Sequence, residues 1–190
     1  ALLEEIELVI HCAGLSASDS YKDPTMANLI NGTHTELLVE SSAAAGVKRF
    51  VYISTAHVYR SPLTGDINEN STLENSHPYA TSHALGEMAI STQKELFSNG
   101  AVSFRLSNTF GLPIVADSSG WTLVVNEWCR DAITTKSIHI RSTPDLSRNF
   151  IPLRDAAREI VEASTDFGWV PENDFINLGS SQSFTLEEVA

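Results

Sequence analysis

The sequence predicts an α/β fold, a doubly wound parallel sheet covered by helices. Three observations predict it. Short apolar runs, near residues 7–12, 47–54, 101–106 and 175–178, alternate with longer segments whose apolar residues recur at helical spacing. The runs are close to continuously apolar, the pattern of strands buried on both faces of a parallel sheet. Glycines at positions 14, 46 and 100 punctuate the borders between strand-like and helix-like segments.

Taken in order, Glu7–Cys12 reads as the first strand, ending at Ala13 and Gly14. Residues 24–45 read as a helix with alanine and leucine at core spacing, and Gly46 suits its C′ stop. The second strand is Val47–Ser54, and a loop at 60–77 carries Pro62, Gly65, Asn68 and Asn70. A helix over 79–98 follows, with Pro78 suited to its first turn and its end near Gly100. Ala101–Leu106 is the third strand. Residues 112–120 are a loop, 122–135 a helix, Ser137–Ile140 a short strand, 153–165 a helix and Phe175–Leu178 a last strand. The closing residues read as one helical turn with Thr185 or Ser183 as N-cap. Both ends read as cut, so an internal fragment of a longer protein is expected.

Composition narrows the function classes. A chain of 190 residues can bury a sizeable core. A formal charge of −12 argues against nucleic acid or an anionic membrane as partner. No apolar run reaches membrane-spanning length, and no secretory signal precedes the first strand. Cys12 and Cys129 are too few and too isolated for a disulfide framework or a zinc site, which fits a reducing cytoplasm; Cys12 reads as a small apolar filler. No histidine pair has metal-ligand spacing with a carboxylate, so no metal is expected. His11 reads as a satisfied core group, and His34 and His139 as surface residues. Trp121, Trp128 and Trp169 read as packing residues. No Gly-x-Ser-x-Gly elbow occurs, which disfavours hydrolase chemistry.

In sheets of this class ligands bind beyond the carboxyl ends of the strands. Those ends carry Cys12, Ala13 and Gly14, then Ser54 and Thr55, then Ser107 and Asn108. Small residues at 13 and 14 either admit a flat or phosphorylated ligand to the backbone or simply pack tightly. Tyr79 and His83 are four apart on one helix and share a face. A tyrosine that works as acid or base near neutral pH needs its pKa of about 10 lowered, and a nearby cation does that. Thr55 can hydrogen-bond a substrate oxygen. The same spacing also suits an amphipathic helix with a half-buried tyrosine and a surface histidine. His57, beside Thr55, reads as a solvated loop-edge residue or as a second titrating group.

Over essentially all its length the chain resembles the extended short-chain dehydrogenase/reductase family, in its NAD-dependent epimerase/dehydratase branch. Val9–Gly14 is similar to the family's fourth strand. Asn28–Thr33 is similar to its helix motif with an asparagine. Gly46–Thr55 with Val58 and Tyr59 is similar to its Ser/Thr segment, and Glu69 stands where an acidic loop residue is common. Tyr79–His83 with Glu87 matches the Tyr-x-x-x-Lys helix except at the last position, where histidine replaces lysine. Arg105–Asn108 with Gly111 and Pro113, Arg148–Ile151 with Asp155, and Asn177–Gly179 resemble later motifs in the right order.

The resemblance implies a Rossmann-like fold, incomplete at its N-terminus, with part of a small substrate lobe. Residues 1–112 would be a partial NAD(P)-binding domain lacking its first βα units. Residues 113–190 would be lobe segments interleaved with the last strands. It implies NAD or NADP as cofactor, a nucleotide sugar as substrate and a homodimer formed by helices near 24–45 and 79–98. Thr55, Tyr79 and His83 would be catalytic. Cys12, Ala13, Gly14, Asn28, Ser54, Tyr79, His83 and Leu106 would line the cofactor, with Ser54 and Asn28 mainly structural. Thr55, Asn108 and Arg148 would touch substrate, Arg148 pairing with a diphosphate as a planar bidentate cation can. Trp121 would lie in the specificity segment. The dehydratase pattern has an Asp-Glu pair after the threonine. Ala56 and His57 stand there, so epimerisation or keto-sugar reduction is expected over 4,6-dehydration. A surface-polysaccharide pathway would fit. Because free histidine titrates near 6.5, the alternative is a catalytically degenerate dinucleotide-binding sensor or scaffold on the same fold.

Overall fold

The structure is a computed structural model and describes residues 3–190. The chain divides into two compact units. The first comprises residues up to Leu106 together with Glu159–Asn177, and the second Ser107–Arg158 with Leu178–Ala190.

The first unit opens with β1 (Leu8–His11), α1 (Ala17–Lys22) and α2 (Pro24–Ala27). A π-helical turn at Asn28–Thr33 leads into α3 (His34–Ala44). Next come β2 (Arg49–Thr55), α4 (Pro78–Gln93) and β3 (Ala101–Leu106). The later chain supplies β4 (Asn108–Phe110), α5 (Val124–Thr134), β5 (Ser147–Pro152), α6 (Leu153–Thr165), β6 (Phe175–Leu178), β7 (Ser183–Thr185) and α7 (Leu186–Val189).

β1, β2 and β3 pair in parallel, and the sheet order is β1-β2-β3-β6. This is the parallel, helix-covered sheet that the apolar runs predict. Its core gathers Val39, Val47, Phe50, Tyr52, Ile90, Phe97 and Ala101. Gly46 ends α3 at φ +79°, and the N–H groups of Gly46 and Val47 return to the carbonyls of Ala43 and Ser42, both at 3.0 Å. That is the glycine stop expected of this position. At the start of β2 the buried Arg49 donates to the carbonyls of Ala163 (2.8 Å), Ser164 (3.2 Å) and Asp166 (2.8 Å), and also to that of Trp169. One guanidinium thereby satisfies carbonyls at the end of α6 that the helix itself leaves unpaired.

The second unit holds a three-stranded sheet of order β4-β5-β7, with β4 parallel and β7 antiparallel to β5. Trp128, Phe150 and Leu186 are its buried centre. Thr185 caps α7 through a reciprocal box with Glu188, which settles the choice between Thr185 and Ser183.

Three expectations are corrected, and of the two readings open for position 83 the surface histidine is excluded. The helix over 24–45 is interrupted, because the π turn inserts at Asn28–Thr33. Ser137–Ile140 is not a strand: Ile138 and Ile140 pack on the Trp128 cluster, and the His139 carbonyl accepts the Trp128 indole N–H at 3.3 Å instead of a ladder partner. Cys12 is exposed, because β1 ends at His11, so it is no core filler. His83 is buried rather than a surface residue. The short elements α1, β4, β5 and β7 have too few residues to show a period.

Candidate active site

The site is built at the carboxyl ends of β1 and β2 and on the first turns of α4. Thr55 is the last residue of β2 and Tyr79 the second of α4. A relay of local hydrogen bonds holds them together. The His57 N–H donates to Thr55 Oγ1 at 3.1 Å, and Asn75 Nδ2 donates to the His57 carbonyl at 2.7 Å. Asn75 Oδ1 accepts the His77 N–H at 3.0 Å, and His77 Nδ1 accepts the Tyr79 N–H at 3.1 Å. His77 is therefore the N-cap of α4, with Pro78 behind it where a missing N–H costs nothing. The intervening loop is closed at its base by these bonds.

Tyr79 is half-buried. Desolvation pushes its phenol upward in pKa, and the nearby Thr55 hydroxyl offsets part of that. His83, one turn on, lies edge-to-face against Tyr79 with ring centroids 4.5 Å apart. Its Nδ1 is 2.9 Å from the Tyr52 hydroxyl. Burial, and then the neighbouring His11, push His83 down to about 4, so it is neutral at physiological pH. The site holds Tyr79 protonated and offers it no cation from position 83.

Ser54 donates to Glu87 Oε1 at 2.6 Å. Arg105 grips both oxygens of Glu87, at 2.8 and 2.7 Å. Its Nη1 also reaches the Tyr59 hydroxyl at 2.8 Å, which in turn donates to Asn177 Oδ1 at 2.7 Å. Glu69 accepts the Asn177 N–H at 2.8 Å. Ser54 thus serves a buried ion pair, a structural role.

The remaining expected residues fall as follows. Cys12, Ala13 and Gly14 are exposed just beyond β1. A Cβ built on Gly14 would stand 3.1 Å from Asn31 Oδ1 and 3.8 Å from His83 Cε1. Asn31 cannot yield readily, since its amide accepts the Leu15 N–H at 2.7 Å and donates to Ser82 at 3.0 Å. The end of β1 must therefore stay small. Elsewhere no glycine lies two residues from another, so the 190 residues carry no Gly-x-Gly-x-x-Gly loop. Asn28 is exposed, and Asn31 is the asparagine buried inside the π turn. Leu106 ends β3 opposite Thr55.

Asn108 and Arg148 belong to the second unit. Asn108 Nδ2 donates to the Asn149 carbonyl at 2.9 Å, and Arg148 sits on β5 opposite Phe184. Trp121 lies in a short 3₁₀ turn, Ser119–Thr122. Among the described residues no group of three or more His, Cys, Asp or Glu could hold a metal ion, and no helix is long and apolar enough to cross a membrane.

Tyr52, Thr35, Asn31, Asn75 and His77 were not singled out by sequence reasoning. Spacing carried a signal for two of them. Ala27, Asn31, Thr35, Val39 and Ser42 are all fully buried and fall three or four apart, a core stripe in which three polar residues stand among the apolar ones.

Comparison with known proteins gives a consistent picture. The model of the NAD dependent epimerase/dehydratase family matches residues 1–179. The dTDP-D-glucose 4,6-dehydratase of Mus musculus is 32% identical over 110 residues, covering 57% of this chain and 31% of that protein. The UDP-glucose 4-epimerase of Neisseria gonorrhoeae is 29% identical over 207 residues, covering 97% of this chain and 59% of that protein. Among solved structures, the UDP-N-acetylglucosamine 4-epimerase from Methanobrevibacter ruminantium M1, in complex with UDP-N-acetylmuramic acid, superposes with a TM-score of 0.86 at 22% identity. That match covers 99% of this chain and 59% of the other. The chain thus spans well under two thirds of each of these proteins.

Proposed function

The chain belongs to the NAD-dependent epimerase/dehydratase family, and from that premise we propose that it carries the acid–base site of an NAD(P)-dependent enzyme acting on a nucleotide sugar. The observation that carries this reading is the meeting of Thr55 and Tyr79. A half-buried phenol from a helix start and a hydroxyl from a strand end lie close together beside the open end of β1.

NAD or NADP, when bound, supplies the hydride acceptor and donor. The residues supply the rest. Ala13 and Gly14 leave room for a flat ring, and His83 stands beside them. Thr55 orients a sugar oxygen, and Tyr79 moves the proton at that oxygen as the carbon beneath it is oxidised or reduced. In its protonated state Tyr79 is poised to give a proton, the sense needed when a keto sugar is reduced. Asn108 is the candidate for the substrate's phosphate or sugar side, and Arg148 for the diphosphate. Ala56 and His57 form a 3₁₀ turn after Thr55 and put no carboxylate there, which favours epimerisation or keto-sugar reduction over dehydration.

Tyr79→Phe tests the reading. It is expected to lower turnover of a nucleotide sugar by about 10²–10⁴-fold while leaving the unfolding midpoint nearly unchanged. Full activity in that variant would sink the proposal. The neutrality of His83 favours a second reading, a cofactor-binding protein without turnover. In that case His83→Lys would create activity absent from the native protein. In the first case His83→Ala would remove an activity already present.

A further inference from the structure

We infer that a buried hydrogen bond from the Tyr52 hydroxyl fixes the proton of His83 on Nε2, so that position 83 carries a neutral N–H donor beside the end of β1. The Tyr52 hydroxyl is 2.9 Å from His83 Nδ1, and close by His11 Nε2 is 3.0 Å from Thr35 Oγ1. The rings are stacked as well: His11 on Tyr52 at 5.6 Å and Tyr52 on His83 at 5.8 Å. Thr35, Tyr52 and His83 are 0%, 1% and 6% exposed, so water cannot readily replace any link.

The polarity follows from counting protons. The Tyr52 phenol has one, and burial, with Glu87 behind it, keeps that proton on. Two acceptors lie within reach, His83 Nδ1 at 2.9 Å and the Asn31 carbonyl at 3.5 Å. The nearer takes it. Nδ1 must then offer its lone pair, and a neutral imidazole carries its single proton on the other nitrogen. The reverse polarity would make an imidazole N–H the donor and phenol the acceptor, although phenol is the stronger acid. Cε1, which joins the two ring nitrogens, faces Gly14. On the reading proposed above, the Nε2–H donor meets a ribose hydroxyl where the family's lysine would. The tautomer itself requires no such reading.

The test is ¹⁵N NMR of the histidine-labelled protein at pH 7 without cofactor or sugar, with His83 assigned by the signal lost in His83→Gln. The expected result is a single Nε2–H tautomer that does not titrate between pH 8 and 5. The titratable groups facing it are His11 of β1, Tyr52 of β2 and Tyr79 of its own helix; Glu87 is held by Arg105. Tyr52→Phe is expected to move the ring to mixed tautomers. An Nδ1–H tautomer, a cationic ring at pH 7, or a spectrum that Tyr52→Phe leaves unchanged would overturn the inference. Should Tyr52→Phe not fold, the wild-type tautomer alone decides. Since no turnover is measured, this result and that of Tyr79→Phe can fail separately.

Discussion

Tyr52 and Ser54 stand two apart on β2 and turn to the same side, and each meets a residue of α4, His83 and Glu87 respectively. The two meetings are built on opposite principles. Around Ser54 the groups are ionised: Glu87 is closed by a bidentate Arg105 with both side chains about 2% exposed. Around Tyr52 the rings in contact are neutral at neutral pH, and the nearest charge is Glu87 behind the phenol. Burial has driven His83 and His11 below their usual range and the phenol above its own. Desolvation penalises a charge in both places, and only the first supplies a counter-charge to offset it. Histidine at position 83 is therefore more than a shortened lysine. It changes the surroundings of Tyr79 from a field set by a cation to one set by oriented hydrogen bonds.

The largest effect that would sharpen this contrast comes from opening the ion pair. Glu87→Ala leaves the Arg105 guanidinium buried without its carboxylate and is expected to cost about 3–5 kcal/mol in urea unfolding. A cost near zero would mean that Arg105 finds compensation elsewhere, and the contrast would fail on its charged side. The next test addresses the neutral side. His83 has a folded pKa near 4 against about 6.5 when unfolded. The unfolded chain thus binds the extra proton first as pH falls. The stability held by the neutral ring is complete above about pH 6.5 and is lost progressively down to about pH 4, roughly 3 kcal/mol in all. His83→Gln, compared with wild type over that window, should remove that part of the slope. Identical slopes would show that the ring stays solvated.

The parallel sheet was legible because its strands are continuous apolar runs bounded by glycine, and burial on both faces leaves no other reading. Strand β3 and helix α6 fall at their expected limits. Thr55 and Tyr79 were legible because their motifs lie on those regular elements. The neutral array was not. It depends on Thr35 and Tyr52, which a reading that seeks apolar residues for the core passes over, and on a π turn that no period announces. Such turns are rare and concentrate at functional sites. This one carries Asn31 inward and leaves Asn28, the asparagine singled out in the sequence, outside. The base of the loop was missed for another reason: Asn75 and His77 act through backbone groups, and sequence spacing does not report those partners.

Gly86 lies on α4 between the two arrays and tests their shared packing. A Cβ there would stand 2.7 Å from the Asn31 carbonyl oxygen and 2.8 Å from the Tyr52 hydroxyl. Both belong to buried, hydrogen-bonded groups, so neither moves freely. Gly86→Ala is expected to cost about 1–3 kcal/mol by overpacking, despite the better helix propensity of alanine. It should also disturb the His83 ring signals while leaving the Glu87–Arg105 pair intact. A stabilised Gly86→Ala protein would mean that α4 can slide away from β2.

The smallest effect is the most specific. Thr35→Val keeps volume and shape and deletes only the hydroxyl that meets His11 Nε2. A neutral hydrogen bond is worth about 0.5–1.5 kcal/mol, so the single variant should lose about that much in urea unfolding. Tyr52→Phe, which removes the bond to His83 Nδ1, should lose a similar amount. Because the His11 ring stacks on Tyr52, the two losses should not add, and the double variant should depart from their sum by about 0.5 kcal/mol or more. Strict additivity would leave two unrelated bonds, and the comparison with the ion pair, which is closed on itself by Arg105, would then rest on charge alone.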